Sequence, residues 1–323
     1  MPHALAGDVP NVMADGAPLG STVLTLSHWP ASPTPVPLRA DLSAEIAFRY
    51  LASRRRWPPA EAVTSDHFDQ DGAVTVFVLT DPDAALRRRH RLIEVAAAGD
   101  FSTCTWREAA RISFAIAAYA DPARSPLHLG AANPALDGLL HEEVLRRLAD
   151  MIDRPDAYRS LWEDEDRFLE DSEHDIASGV TVIDELPALD LAVVTSGAPW
   201  RPASQFTRQL PTPCHPIAVH NSTAMSRILT LSPGRYELRQ RYETWVRLMS
   251  RRPRPRVDLT ALADELSAAD ACRWEFNGVG ATVARMAPTG ESRLDPDAVR
   301  SAVVGFLSSD PPPAWDPYRE AAE

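Results

Sequence analysis

Short apolar runs and longer helical patterns alternate along the chain. Four runs rich in β-branched and aliphatic residues end at polar residues, Gly or Pro: Ser21–Trp29, Glu61–Ser65, Asp190–Gly197 and Pro216–Asn221. Such runs are typical of buried β-strands. We therefore predict a strand in each of these four segments.

Between these runs, apolar residues recur at helical spacing. The first such segment is Ser43–Ser53. Asp81 followed by Pro82 is a typical helix start, with Asp as the cap and Pro in the first turn, and this helix is expected to end before Gly99. Further helices are predicted over residues 105–118, 139–152 and 157–173. The pattern of Ala73–Thr80 fits either a strand or a buried helix.

Strands that alternate with helices predict an α/β fold, with a mainly parallel sheet, flanking helices and a smaller C-terminal α+β domain. We expect five parts, which are listed in chain order: a flexible leader over 1–20, an α/β domain over 21–232, a helical insertion within it at about 81–187, an α+β domain over 233–310, and a tail over 311–323.

Composition narrows the classes of function. The chain has 323 residues, and all 33 of its basic residues are Arg, which excludes a Schiff-base Lys and the Lys of a P-loop. The net charge of −12 argues against binding to duplex nucleic acid or an anionic membrane. Three widely spaced cysteines, no signal-peptide pattern and no membrane-length apolar run lead us to expect a cytoplasmic protein.

The segment His67-Phe-Asp-Gln-Asp-Gly72 carries the sharpest chemical signal. It follows a predicted strand, and side chains at alternating positions of extended backbone point the same way. His67, Asp69 and Asp71 can therefore converge on one point. One imidazole and two carboxylates suit a divalent ion. We expect Mn²⁺, with Mg²⁺ or Fe²⁺ as alternatives, and Asp71 to be needed for catalysis as well as for metal binding.

Other polar residues stand at the ends of predicted strands. His28, Ser196 and His220 each follow an apolar run, as His67 does. In open α/β sheets, ligands bind at the carboxyl ends of the strands, so we expect these residues around one cleft. We assign His220 a catalytic role, and His28 and Ser196 contacts to substrate. Asp100 follows Gly99 and is a further candidate metal ligand.

Three segments of the chain resemble motifs of the DHH phosphoesterases. HFDQDG after a short strand is similar to their first motif, DLAVVTSG to the second, and PIAVHNS to the third, in the same order along the chain. The HFDxDG signature also resembles that of an uncharacterised bacterial family. Ser196 stands where the DHH family has an Asp, and His220-Asn221 stands where it has paired histidines.

The resemblance implies a metal-dependent hydrolase that acts on a small phosphodiester or phosphoanhydride. It further implies a substrate-binding C-terminal domain, with Asn221 and the glycines Gly278 and Gly280 near the substrate. We expect a small phosphorylated substrate as the partner, and we leave a homodimer open.

Two other interpretations remain open at this point. The first is a non-haem iron oxygenase, because His67-x-Asp69 also resembles the start of a two-His-one-carboxylate triad, which His215 or His220 with Arg227 would complete. The second is a catalytically degenerate protein of the same fold that binds a nucleotide or another partner. The helix from Pro82 argues against the strand-rich core of such an oxygenase.

Overall fold

The computed structural model describes residues 1–127, 129 and 136–319. It is a mixed α/β structure that divides into two compact units. Unit 1 comprises residues 1–167, 202–210 and 248–251, and unit 2 comprises 168–201, 211–247 and the chain from 252 onward. The domain boundaries expected from the sequence differ from this division, since each unit is built from separate stretches of the chain.

Unit 1 contains a parallel sheet of three strands. They are β1 (Asn11–Ala14), β2 (Thr22–Leu26) and β3 (Ala62–Thr64), in the order β2-β1-β3. In this register, Val12 of β1 lies opposite Leu24 on one side and Val63 on the other. All three strands point their carboxyl ends toward the same edge. The α/β class with a parallel sheet and flanking helices is thus confirmed.

The flexible leader expected over residues 1–20 is wrong. Residues 11–14 form the central strand β1, and all four are buried. The sequence signal is weak because Asn11-Val-Met-Ala is only four residues long and lies between Pro10 and Asp15. Such a strand is stable here because β2 and β3 cover both of its edges.

Seven helices accompany the sheet in the described part of unit 1 up to residue 153. They are α1 (Ser43–Ser53), α2 (Gln70–Thr80), α3 (Pro82–Arg87), α4 (Arg89–Asp100), α5 (Arg107–Ala120), α6 (Leu136–Leu145) and α7 (Leu148–Asp153). Buried aliphatic and aromatic side chains of α1, α2, α4 and α5 form the main core of the unit. Helix α8 (Arg159–Ser178) follows, and the division between the units falls within it.

One segment left open by the sequence is resolved, and one helix prediction needs correction. Of the two alternatives for Ala73–Thr80, the structure has the helix: the segment belongs to α2, whose first nine residues are all buried. Gly99 does not end a helix but lies inside α4, against the side chain of Gln70. A Cβ at residue 99 would lie 2.5 Å from that of Gln70, so this glycine is needed for close helix packing. The helix expected to run on from Pro82 is interrupted at Arg88 between α3 and α4.

Unit 2 contains a six-stranded sheet in the order β11-β12-β9-β8-β5-β4. Its strands are β4 (Thr181–Leu186), β5 (Leu191–Ser196), β8 (Arg227–Ser232), β9 (Arg235–Gln240), β11 (Trp274–Phe276) and β12 (Ala284–Pro288). The pairs are antiparallel except β5 with β8. Helices α10 (Thr260–Ala269) and α11 (Pro296–Ser308) contribute to its apolar core. Strands β11 and β12 pair with Trp274 opposite Pro288 and Phe276 opposite Met286.

The remaining elements are short. Strands β6 (Arg201–Gln205) and β7 (Arg208–Thr212) pair with each other, as do β10 (Arg256–Val257) and β13 (Pro313–Trp315). The segment predicted as a strand at residues 216–221 is instead helix α9 (Pro216–Ser222), capped by His215, whose Nδ1 accepts a hydrogen bond from Ile217 N. Pro at the first position of α9 is a helix-start signal that the apolar run concealed.

The boundary expected between residues 232 and 233 falls in the turn that joins β8 to β9, so it divides a hairpin of one sheet. No helix among the described residues is both long and apolar enough to cross a membrane.

Candidate metal centre

Polar side chains follow each strand of the parallel sheet in unit 1, at its carboxyl edge. Asp15 directly follows β1, and His28 comes two residues after β2. His67 lies in the loop between β3 and helix α2. Because the three strands are parallel and adjacent, these loops meet at one edge of the sheet.

Helix α2 begins at this same edge and adds two carboxylates. Asp69 caps the helix, with Oδ1 accepting a hydrogen bond of 2.8 Å from Gly72 N. Asp71 lies in the first turn, and its two oxygens accept hydrogen bonds of 2.8 Å from Ser43 N and Ala44 N at the start of α1. The positive end of the α1 dipole therefore faces the Asp71 carboxylate.

Asp15 lies between two histidines and presents one carboxylate oxygen to each. Its Oδ1 is 3.6 Å from His28 Nε2, and its Oδ2 is 3.4 Å from His67 Nε2. His67 Nε2 is also 3.0 Å from Asp69 Oδ2, and His28 Nε2 is 3.8 Å from Asp71 Oδ2. One carboxylate is thus shared by two His–Asp pairs.

These residues form two sets of candidate metal ligands. The buried set is Asp15, His28 and Asp71, and the open set is Asp15, His67 and Asp69. Within each set, one donor atom from each residue lies within 4.8 Å of the others. The structure therefore has buried Asp and His groups positioned to hold a metal ion.

Asp100, the last residue of α4, approaches the buried set. Its Oδ2 is 3.4 Å from His28 Nε2, and the side chain is 1% exposed. Neither of its oxygens has a hydrogen-bond partner among the described residues, and the same is true of Asp15 Oδ2. A buried carboxylate oxygen without a donor is unfavourable, so a cation between these groups would satisfy them.

Both histidines are oriented with Nε2 toward the carboxylates. His28 Nδ1 lies 2.5 Å from the backbone oxygen of Asp41, which can only accept, so this nitrogen carries a proton and Nε2 is the atom directed at the carboxylates. His67 Nδ1 lies 2.8 Å from Asp66 Oδ1. Metal-binding histidines usually have such a second partner, which fixes the tautomer and the ring.

Asp66 is itself held by the loop after β1. Its Oδ2 accepts a hydrogen bond of 3.0 Å from Ala17 N. A Cβ at residue 16 would overlap the Asp66 carboxylate, so only Gly16 permits this approach. The loop thus supports His67 through Asp66 and at the same time supplies Asp15.

Charge is crowded in this cluster. Burial raises the pKa of Asp71 well above its usual value, and the charge of Asp15 adds to this. Burial likewise raises the pKa of Asp100, together with the charges of Asp69 and Asp71. Burial lowers the pKa of His67, but the Asp69 charge and its hydrogen bonds more than reverse this, and the pKa lies well above its usual value. Without metal, Asp71, Asp100 and His67 therefore retain their protons to higher pH than usual. Bound metal ions would supply positive charge in place of these protons.

The cluster is reached by solvent from one side only. The His67 side chain is 30% exposed and that of Asp66 is 21% exposed, whereas those of His28 and Asp71 are fully buried. Trp29 stacks on the His67 ring, with the ring centroids 5.1 Å apart. A substrate or water molecule would therefore meet the open set first.

Two further residues hold the HFDQDG segment (residues 67–72) in place, and the sequence alone did not identify them. His141 on α6 is buried, and its Nε2 lies 2.9 Å from the backbone oxygen of His67. Gln70 Nε2 donates to the backbone oxygens of Ser113 and Phe206. Nothing in the local sequence of either residue indicates these contacts, which depend on how distant segments pack.

The sequence-predicted residues divide between the two units. His28, His67, Asp69, Asp71 and Asp100 come together in unit 1, as expected for a site at the strand ends. His28 faces the carboxylates as a candidate ligand and not only as a substrate contact. Asp15 was missed because residues 1–20 were expected to be a leader. The signal that identifies it is an acidic residue directly after a short apolar run.

The other predicted residues lie in unit 2. Ser196 ends β5 and is buried, with Oγ accepting from Thr181 Oγ1 and Ala198 N. His220 and Asn221 lie in the last turn of helix α9 and not after a strand, because Pro216–Ser222 is helical. Gly278 has a φ of +96°, and the backbone oxygen of Gly280 accepts from Trp245 Nε1. Among the described residues, the two groups positioned to hold a metal ion include none of these five.

The comparisons with known proteins yield one family. A family model described as "Family of unknown function (DUF6687)" matches residues 1–319. No curated protein and no solved structure matches the chain.

Proposed function

We infer the function from the centre itself, because the chain belongs to DUF6687, a family of unknown function. We propose that the two ligand sets hold divalent cations and that the protein is a metal-dependent hydrolase of a small phosphodiester or phosphoanhydride. One observation carries this proposal: the Asp15 carboxylate faces two separate His–Asp pairs.

The donor chemistry favours particular ions. Carboxylate oxygens with one imidazole per set suit Mn²⁺, with Mg²⁺ and Fe²⁺ as alternatives, and no cysteine takes part. When bound, such ions lower the pKa of a coordinated water molecule and offset negative charge on a phosphoryl group. Two ions that share a carboxylate are a common arrangement in phosphoryl-group hydrolases.

The residues of the chain would prepare this chemistry in three ways. Ser43 Oγ donates a hydrogen bond of 2.6 Å to Asp15 Oδ1 and so orients the shared carboxylate. The N–H groups at the start of α1 orient Asp71. Asp66 holds the exposed His67 ring, so that the open set is ordered before substrate arrives.

Two arguments support a phosphate ester as the substrate. A phosphoryl group under attack concentrates negative charge, and a chain without Lys can offset that charge only with Arg or metal ions. The HFDQDG segment, which resembles the first DHH phosphoesterase motif, supplies three of the candidate ligands. The substrate we propose is therefore a small phosphorylated molecule.

The oxygenase alternative depended on a strand after His67-x-Asp69. That segment is helix α2 in the structure, and the sheet next to it has three parallel strands. These elements do not support the strand-rich core that the alternative needs. The degenerate binding protein remains the second candidate, because the residues of the motif-two and motif-three resemblances belong to unit 2 and are not among the two ligand sets.

A cytoplasmic location is part of the proposal. Cys104, Cys214 and Cys272 are all free, as a reducing compartment would leave them. Burial raises the pKa of the Cys214 thiol to about 11, so this thiol is protonated and unreactive at neutral pH.

The experiment compares metal content and turnover in the full chain and in Asp15→Asn. Asn keeps a carbonyl oxygen for the Ser43 hydroxyl but removes the shared charge. Asp71→Asn is a less suitable variant, because its amide group would face an N–H of Ser43 or Ala44. Asp164→Asn, at a side chain that is 97% exposed, is the matched control.

We expect the wild type and Asp164→Asn to bind Mn²⁺ and to hydrolyse at least one of bis(p-nitrophenyl) phosphate, a dinucleotide or pyrophosphate. Asp15→Asn should bind little Mn²⁺ and show no turnover. Mn²⁺ binding by the wild type without turnover of any of these substrates would favour the degenerate binding protein. Equal Mn²⁺ binding by the wild type and Asp15→Asn would refute the centre itself.

A further inference from the structure

A groove in unit 1 lies at the end of α1 and α2 away from the candidate metal centre. Helix α1 begins at Ser43, which contacts Asp71 and Asp15, and it ends at Ser53, beside the groove. Eleven residues of helix span roughly 16 Å at 1.5 Å per residue. Helix α2 likewise runs from Asp71 to Leu79 and Thr80, which line the groove. The groove is thus separate from the metal centre.

The floor of the groove is apolar and its volume is about 540 Å³. Leu51, Trp57 and Leu79 line it and are only partly buried, on top of a small core between the sheet and α1. Pockets that hold small molecules have similar volumes and mostly apolar linings. This groove therefore has the size for a small organic molecule.

One wall of the groove carries positive charge. Arg54 and Arg55 line it, within the exposed turn Arg54–Arg56 that follows α1. No carboxylate of the described residues lies within ion-pairing distance of any of these three arginines, whereas the exposed Arg146 and Arg159 of the same unit each have such a partner. Glu61 is the one acidic residue in the lining. In a chain with a net charge of −12, these two guanidinium groups place local positive charge beside an apolar floor.

We propose that this groove binds a small organic anion, with its carboxylate, sulfonate or phosphate group on Arg54 and Arg55 and its apolar body against Trp57 and Leu51. Guanidinium groups bind such oxyanions through paired hydrogen bonds. Arg residues after a helix also offset the helix dipole, but that role needs neither a groove nor an aromatic side chain beside them. The proposal does not depend on the metal centre or on its chemistry.

The test uses the full chain and the fluorescent anion 8-anilinonaphthalene-1-sulfonate. The variant Arg54→Gln/Arg55→Gln removes both charges from the groove wall. Its matched control is Arg56→Gln/Arg87→Gln, which removes the same net charge from exposed arginines outside the lining. The uncharged N-phenyl-1-naphthylamine serves as a second probe of the wild type.

We expect saturable binding of the sulfonate to the wild type and to the control, and at least about tenfold weaker binding to Arg54→Gln/Arg55→Gln, since the loss of a single charge-assisted contact would already have that effect. The uncharged probe should bind the wild type about tenfold more weakly than the sulfonate for the same reason. Equal affinity of the sulfonate for all three proteins, an equal loss in both double variants, or equal binding of the two probes would overturn the proposal.

Discussion

At the scale of single residues, His28 belongs only to the buried ligand set and His67 only to the open set. We therefore expect His28→Gln to lose the ion of the buried set and His67→Gln to lose that of the open set, each lowering bound Mn²⁺ from two equivalents to one. Equilibrium dialysis followed by elemental analysis measures this directly. His90→Gln, at an exposed histidine on α4, is the control. A stoichiometry unchanged by either variant would contradict the assignment of the sets.

Ser43 is the residue through which the start of α1 orients Asp15. Its hydroxyl donates to Asp15 Oδ1 and accepts from His28 N. Ser43→Ala should weaken Mn²⁺ binding roughly 10- to 100-fold, as the loss of other groups that orient metal ligands does. Calorimetric titration of Mn²⁺ measures the change. Ser113→Ala, at a buried serine on α5, should bind Mn²⁺ like the wild type, and similar weakening in both variants would indicate a general loss of packing.

The sequence predicts part of this site for a definite reason. His67, Asp69 and Asp71 lie within five positions, so all three reach the same edge of the sheet. They do not converge on one point as predicted, because Asp71 lies in the first turn of α2 and belongs to the buried set, whereas His67 and Asp69 belong to the open set. Asp15 comes from a strand too short to be recognised, and its role depends on strand pairing between segments far apart in sequence. The hydrogen bond of His141 is to a backbone oxygen, which no side-chain pattern can reveal.

At the scale of secondary structure elements, the packing of α4 on α2 depends on Gly99. Gly99→Ala should destabilise the fold by about 1–3 kcal/mol, because the added Cβ would lie 2.5 Å from the Cβ of Gln70. Gly305→Ala in α11 is the matched control, since no atom lies within 4 Å of an added Cβ there. It should stabilise by about 0.5–1 kcal/mol through helix propensity. Urea unfolding measures both changes, and a stabilised Gly99→Ala would contradict the close packing.

The type of an element, helix or strand, was predicted correctly where the hydrophobic pattern extended over many residues. Helix α1 has the predicted bounds, Ser43–Ser53. Among the errors, strand β1 was missed and helix α9 was taken for a strand, and these segments have four and seven residues. Strands β4 and β8, of six residues each, were also not predicted. In such short segments the hydrophobic pattern of a strand and of a buried helix is the same, and tertiary packing decides between them.

At the scale of the whole molecule, the cluster makes stability depend on pH in an unusual direction. The pKa values of Asp71 and Asp100 are raised above 3.8. Without metal, the ionisation of these two carboxyl groups therefore destabilises the fold as the pH rises above 3.8. The pKa of His67 is raised above 6.5, so its stabilising proton is also lost as pH rises beyond that value. Both effects have the same sign.

We therefore expect the protein in EDTA to melt at a lower temperature at about pH 8.5 than at about pH 6, and Mn²⁺ to reverse this order because it competes with protons for the same groups. Scanning calorimetry at the two pH values, with and without Mn²⁺, measures the effect. The Asp15→Asn variant should show no reversal by Mn²⁺. A metal-free melting temperature that rises with pH would contradict the crowding of charge described for the cluster.

The donors of the candidate metal centre are spread along the chain from Asp15 to Asp100, which has a consequence for folding kinetics. The coordination sites are complete only after β1, β2, α1, α2 and α4 have all come together, which closes loops of many residues. Ions would then bind after the rate-limiting step of folding, since the transition state would not yet contain both sets. Metal would leave the refolding rate unchanged and lower the unfolding rate, and so increase the kinetic stability of unit 1.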